Sequence, residues 1–220
     1  MNSFSWDKAT KSSEVSHGVI LGPESDQTTH YSIVDQFGNA VSVTTTLNGG
    51  YGSKLYSSEL GFFLNNEMDD FSAKPGVPNF YGLVGNEANA IQPQKRMLSA
   101  MTPTIVERDG KLAMILGTPG GSTIITSVLQ TLLNVYEFNM DIQKAVTAPR
   151  FHHQWLPDVI VFEPNSFDTS LIEKLQAKDY KITQEYSRII GRVDAILISE
   201  SNQISTGADP RGDDTAVHLY

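Results

Sequence analysis

Cysteine is absent from all 220 residues, which excludes disulfides, thiolate nucleophiles and thiolate metal sites and leaves the redox compartment open. No apolar run reaches the roughly 18 residues needed to cross a bilayer, so this chain is not expected to insert into a membrane. The opening Met1-Asn2-Ser3-Phe4-Ser5 has neither the basic flank nor the apolar stretch of a secretory signal. Basic residues are scarce, with 16 Lys and Arg against 25 Asp and Glu and a formal net charge of -9. Nucleic acids and anionic membrane surfaces are held by clustered Lys and Arg, so both are set aside as partners. Chemistry is left to hydroxyls, carboxylates, His and the backbone.

A hydrophobic content of 40% supports a substantial core in one domain. Residues 1–27 are mostly polar and close on Gly22-Pro23-Glu24-Ser25-Asp26, a segment without its own core. From Thr28 onward, Tyr31–Val34, a turn at Phe37-Gly38 and Ala40–Thr46 spell a β-hairpin. Asn48 to about Pro103 is a long stretch rich in Gly, Asn, Ser and Pro, and so large a loop is usually functional or leans on another chain. Strands follow near Thr104–Val106 and Leu112–Leu116, joined by Asp109-Gly110. A helix over Ile124–Phe138 then has Ser122 as N-cap and Ile125, Val128, Leu129, Leu132 and Leu133 at helical spacing. Helices near 141–148 and 168–178 and strands near 159–162, 181–184 and 193–199 complete an α+β layering.

Strand period two puts Ser42, Thr44, Thr46 and Asn48 on one face and Val41, Val43 and Leu47 on the other, the second being the core face. A turn at Phe37-Gly38 gives pairing sums of 74 or 75, which set Thr28 opposite Thr46 or its neighbour. Two meeting hydroxyls and a plain Thr-rich edge both satisfy that spacing. Thr118-Pro119-Gly120-Gly121-Ser122 reads equally as a tight turn or as a pair of anion-binding amides at a helix start; a phosphate loop would need a Lys after the second Gly. Asp69-Asp70 lacks the alternating oxygens of a calcium loop, and the adjacent His152-His153 lack zinc-ligand spacing and are taken as structural. No metal and no cofactor are expected.

The segment Gln27-Thr28-Thr29-His30-Tyr31-Ser32 resembles the processing site of γ-glutamyltranspeptidases. The resemblance continues, in the family's order, through Thr46-Leu47-Asn48, Asn65-Asn66-Glu67-Met68-Asp69-Asp70-Phe71, Lys74-Pro75-Gly76-Val77-Pro78-Asn79, Thr118-Pro119-Gly120-Gly121-Ser122 and Ala148-Pro149-Arg150-Phe151-His152-His153-Gln154-Trp155. Several ordered matches are far more specific than one short motif.

What the resemblance implies is an α+β N-terminal-nucleophile hydrolase, an αββα sandwich incomplete without a large subunit. Residues 1–27 would be the tail of the large-subunit region and 28–220 the small catalytic domain. Cleavage at Gln27-Thr28 would free the Thr28 amine, which titrates near ~7.7–8.0 and can serve as the base for its own hydroxyl. Thr46 would orient Thr28, and Gly120 and Gly121 would supply oxyanion donors. Asn48, Glu67 and Asp70 would hold the α-ammonium of a γ-glutamyl donor, and Ser99 its α-carboxylate. The expected activity is γ-glutamyl transfer from glutathione-like donors to an amine or water, in a periplasmic or extracellular setting. The family's second Ser is Ala100 here, removing one carboxylate donor. The large subunit, with an Arg for the same carboxylate, is the expected partner, and the chain alone is expected to be an inactive piece. Two alternatives are a glutaryl-cephalosporin acylase-like amidase, which needs no ammonium site, and an unprocessed inactive fragment.

Overall fold

Alternating β-branched and hydroxyl residues on either side of Gly38 fold the chain back on itself in the structure, a computed structural model that describes residues 28–184 and 190–218. Strands β1 (Thr28–Val34) and β2 (Ala40–Thr46) pair antiparallel, from Val34↔Ala40 at the turn to Thr28↔Thr46 at the open end. That is the register with a pairing sum of 74. The Asp35 carboxylate pins the turn by accepting the N–H groups of Phe37 and Asn39, both at 2.8 Å. Gln27 and the expected linker of residues 1–27 lie outside the described residues.

The long connection holds only β3 (Tyr56–Ser57), β4 (Phe62–Phe63) and single 3-10 turns at Glu67–Asp70 and Glu87–Asn89. Regular structure resumes with β5 (Thr104–Arg108) and β6 (Lys111–Gly117), joined by Asp109 and Gly110 at φ 53° and 72°, as a two-residue hairpin requires. Helices α1 (Ile124–Tyr136) and α2 (Ile142–Thr147), strands β7 (Phe151–His152) and β8 (Ile160–Phe162), α3 (Thr169–Gln176), β9 (Ile182–Thr183), β10 (Asp194–Ile198) and β11 (Ile204–Gly207) follow. Asp141 and Asp168 cap α2 and α3 by accepting the N–H groups of Lys144 and Ser170 at 2.8 and 2.9 Å.

The main sheet runs β11-β10-β6-β5. Met114 and Leu116 of β6, with Val193 and Ala195, meet Val128 and Val135 of α1 and Ile142 and Val146 of α2 in one buried core. Cutting fully buried Leu116 to Ala would cost about 2–5 kcal/mol. The opposite face of the sheet carries the hairpin. There Ser42 donates to the Leu116 carbonyl at 3.1 Å. Gly117 lies under the His30 ring, where a Cβ would come within 2.2 Å of Cε1, so no side chain fits. The stacking is helix, sheet, hairpin: α, β and β of the expected sandwich.

Two expectations are corrected. The hydroxyl face of the hairpin, not the Val face, turns inward, while Tyr31, Ile33 and Val41 are 44, 52 and 44% exposed. Inner-face polar groups are satisfied by one another and by β6, and the apolar face is left uncovered by the described residues. In α1 a 3-10 turn, Gly121–Thr123, precedes the helix, so Ser122 lies inside that turn and Thr123 occupies the N-cap without a side-chain capping bond, its hydroxyl donating instead to the Gly120 carbonyl. The buried stripe is Ile124, Ser127, Val128, Thr131 and Val135, while Ile125 and Leu129 are 51 and 52% exposed.

Candidate active site

Register alone brings Thr28 to Thr46, and the side chains complete the contact: their Oγ1 atoms lie 2.9 Å apart, with Thr28 buried. Thr46 Oγ1 also accepts the Asn48 N–H at 2.9 Å. A hydroxyl that accepts from the backbone still has its proton, and here that proton can be given to Thr28 Oγ1, leaving the Thr28 proton for a base. Asn48 sits at φ 73°, a left-handed conformation costly for a side chain with a Cβ. It is held there because Asn48 Nδ2 donates to the Asn66 carbonyl at 3.2 Å and the Asn48 carbonyl accepts the Tyr81 hydroxyl at 2.6 Å.

His30 continues this polar face. Its Nδ1 is 2.8 Å from Thr44 Oγ1 and its Nε2 is 3.0 Å from Ser32 Oγ. Burial lowers its pKa to about 4, so the ring is neutral at pH 7 and packs beneath the hydroxyls as a spacer. Asp194, register partner of Gly117, is raised to about 7 by burial and then by the charges of Asp214 and Asp209.

Gly120 and Gly121 stand at the N-cap and first residue of the 3-10 turn leading into α1. Amides at such an end have no intrahelical acceptor, which suits them to an anion. Gly120 at φ 140° packs on Gly191 Cα, 3.2 Å from where a Cβ would stand, and the Tyr81 ring lies against Gly121. Behind Gly191, the buried Arg150 guanidinium bonds the Ile190 and Gly191 carbonyls at 3.0 and 3.3 Å and pairs with Asp209 at 2.7 Å, fixing the loop from below.

Of the donor-recognition candidates, Asp70 and Ser99 share a cavity, while Asn48 lies with Thr46 and Glu67 lines no part of that cavity. Asp70 ends the 3-10 turn that Glu67 begins, and its pKa is raised by burial, then by Glu67 and Asp69. Three crowded carboxylates with little counter-charge would be relieved by an ammonium. Asp70, Ser99 and Ala100 line one cavity of about 480 Å³ walled by Leu98, Ile125 and Trp155. Neither Thr28 nor Glu67 lines that cavity. The structure thus joins Thr28, Thr46 and Asn48 by hydrogen bonds, reaches Gly121 through Tyr81, and places Asp70 and Ser99 on the wall of one cavity. Among the described residues no cluster of three or more His, Asp or Glu could hold a metal.

Sequence reasoning missed His30 and Tyr81. His30 had a signal, since it alternates with Thr28 and Ser32 opposite Thr46, Thr44 and Ser42. Tyr81 had none, because it bonds a backbone carbonyl 33 positions away.

The helix–sheet–hairpin stack has the α and β layers of the N-terminal-nucleophile hydrolase fold. A sequence model of the family described as gamma-glutamyltranspeptidase matches residues 3–219, and the chain belongs to that family. It is 48% identical over 214 residues to the glutathione hydrolase proenzyme of Escherichia coli (strain K12), covering 97% of this chain and 36% of that protein. It is 50% identical over 196 residues to the glutathione hydrolase proenzyme of Pseudomonas aeruginosa, covering 88% and 35%. The chain therefore spans about a third of the length of these curated relatives, at 36 and 35%. Among solved structures, the highly active W525D mutant of gamma-glutamyltranspeptidase from Pseudomonas nitroreducens superposes with a TM-score of 0.80 at 47% identity, over 87% of this chain and 99% of that one. No helix among the described residues is long and apolar enough to cross a membrane.

Proposed function

We propose that this chain supplies the nucleophile of a γ-glutamyl transferase and glutathione hydrolase, and that Thr28 forms the acyl ester. The observation that carries the reading is the 2.9 Å contact of Thr28 Oγ1 with Thr46 Oγ1, itself set by the Asn48 N–H. In the uncut chain the Thr28 nitrogen is an amide and cannot act as a base. Attack of Thr28 Oγ1 on the Gln27 carbonyl moves the acyl group from nitrogen to Oγ1, breaking the Gln27–Thr28 C–N bond and freeing the amine; hydrolysis of the resulting ester then separates the two pieces and frees Oγ1. That amine takes the hydroxyl proton as Oγ1 adds to the γ-carbonyl of the donor. The Gly120 and Gly121 amides face the oxyanion, the departing amine takes the proton, and water or a second amine releases the γ-glutamyl group.

In this reading Asp70, Glu67 and Asn48 receive the donor α-ammonium, and Ser99, with an Arg from the large subunit of the same precursor, its α-carboxylate. The crowded carboxylates around Asp70 favour this donor over a glutaryl one, which brings no ammonium to neutralise them. The uncovered apolar side of the hairpin supports docking of that large subunit as the fourth layer, with residues 1–27 as the linker between the halves. Family resemblance supports a periplasmic or extracellular setting, which cell fractionation checks. Expression of the whole precursor as wild type and as Thr28→Ala tests the reading: mass spectrometry should find two pieces, one starting at Thr28, only in the wild type. Cleavage of the Thr28→Ala precursor at the same bond would remove it.

A further inference from the structure

Two side chains more than a hundred positions from Thr28 in sequence are joined to it by a continuous series of hydrogen bonds. His152 of β7 is buried, with Nδ1 2.8 Å from Thr126 Oγ1 at the start of α1 and Nε2 2.9 Å from Gln154 Oε1. Gln154 Nε2 donates to the Leu156 carbonyl at 3.1 Å and, at a longer 3.4 Å, to the Tyr81 carbonyl. Both acceptors are carbonyls, so the amide group must present its NH₂ to them and its oxygen to His152. His152 accordingly carries a proton on Nε2, which donates to Gln154 Oε1, while Thr126 Oγ1, 2.8 Å from Nδ1, donates its own proton to the Thr123 carbonyl at 3.0 Å.

Beyond Gln154 the series runs through Tyr81, whose hydroxyl donates to the Asn48 carbonyl. It then passes through the Asn48 N–H to Thr46 Oγ1, which faces Thr28 Oγ1. Asn48 is the vulnerable link. At φ 73° it occupies a minority conformation that persists only while its surroundings hold it. If the Tyr81 segment drifts, the Asn48 peptide can relax and its N–H leaves Thr46.

We propose that Gln154, oriented by His152, is a positioning residue for the nucleophile: it holds the Tyr81 segment so that Tyr81 fixes the Asn48 peptide and thereby the Thr46 hydroxyl against Thr28. The proposal rests on Thr28 being the nucleophile; Gln154 also lines the cavity that holds Asp70 and Ser99, so the split between kcat and KM is what separates positioning from donor contact.

The test is a double-mutant cycle in the processed, two-subunit enzyme, using Gln154→Leu, Gln154→Glu, Tyr81→Phe and the Gln154→Leu/Tyr81→Phe pair. Gln154→Glu still accepts from His152 but has no N–H for the Tyr81 carbonyl. Both Gln154 variants lose the N–H bonds to the Tyr81 and Leu156 carbonyls, so kcat should fall by at least about fivefold, with donor KM within about twofold. The pair should be no slower than the slower single variant, because both changes act on one path. Multiplying losses, a changed KM with intact kcat, or a wild-type Gln154→Glu enzyme would each overturn the proposal. Should the variants fail to fold, ¹⁵N NMR of the wild-type imidazoles decides: a proton on His152 Nε2 supports the arrangement, and one on Nδ1 alone contradicts it. Thr28→Ala run in parallel separates the two claims. Turnover by Thr28→Ala removes the nucleophile assignment, whereas a dead Thr28→Ala beside unaffected Gln154 variants removes only this inference.

Discussion

The hairpin that carries Thr28 and the loop that carries Asp70 satisfy their backbones in different ways. In the hairpin, β1 and β2 pair residue by residue across seven positions, so one register places every side chain. In the connection from Asn48 to Pro103 scattered backbone bonds, such as those from the Ser53 N–H to the Leu64 carbonyl and from the Ser72 N–H to the Asn89 carbonyl, are supplemented by individual side-chain amides. Asn66 Oδ1 accepts the Gly49 N–H at 2.8 Å, Asn79 Oδ1 accepts those of Tyr81 and Leu83 at 3.0 and 2.9 Å, and Asn89 Nδ2 donates to the Asp70 carbonyl at 2.7 Å. A ladder is robust to any one side chain, whereas a loop built from side-chain bonds is set residue by residue. The nucleophile therefore stands on the robust part and donor selection on the adjustable part.

Four substitutions sharpen that contrast, all in the assembled enzyme. Thr46→Val keeps the β-branched shape and the ladder but deletes the hydroxyl facing Thr28; kcat should fall roughly a hundredfold, as for a misaligned reacting group, with the fold intact by circular dichroism. Asp70→Asn should lower kcat/KM about tenfold to a hundredfold, from roughly 1.5–3 kcal/mol for a hydrogen bond to a charged group. A donor lacking the α-ammonium should be indifferent to it. Ala100→Ser restores a hydroxyl beside Ser99 and should lower KM for a γ-glutamyl donor by up to about tenfold, or roughly 1.4 kcal/mol, with no gain for a donor lacking the α-carboxylate. Equal responses from both donors would displace the carboxylate from Ser99.

The smallest effect is one of stability, in the sheet beneath the hairpin. Asp194 has a folded pKa of about 7 against 3.8 for a free carboxyl. Below pH 3.8 both states hold the proton and nothing is lost. As pH rises toward 7, the unfolded carboxyl ionises while the folded one retains its proton, so stability falls, and the loss is complete above 7. Asp194→Asn should leave stability unchanged near pH 3.8 and raise it by about 1–2 kcal/mol at pH 8 in urea titrations, a figure discounted for partial solvent access. An equal effect at both pH values would place the cause in packing.

The same division governs what the amino-acid sequence discloses. Turn position and strand period bring Thr28 opposite Thr46 or its neighbour, since a hairpin register is a sum rule, and the structure selects Thr46. The helix after Gly120-Gly121 is legible too, but its buried face is not, because small hydroxyl residues, Ser127 and Thr131, face inward with their hydroxyls bonded to carbonyls one turn earlier while Ile125 and Leu129 face out. The inward face of the hairpin was misjudged because hydrophobic alternation identifies an apolar face without saying which layer covers it. Asp70, Ser99 and Glu67 emerged from resemblance rather than periodicity. Tyr81 and Gln154 act through backbone carbonyls far along the chain, and a carbonyl leaves no mark in the sequence.

The most direct measurement of the central claim is tandem mass spectrometry of the processed enzyme quenched with a slow γ-glutamyl donor or an electrophilic glutamine analogue. The account predicts a single acyl or alkyl adduct on the fragment whose N-terminus is Thr28, carried by the Thr28 side chain. An adduct on any other residue, or turnover by an enzyme in which the Gln27-Thr28 bond is intact, would contradict it.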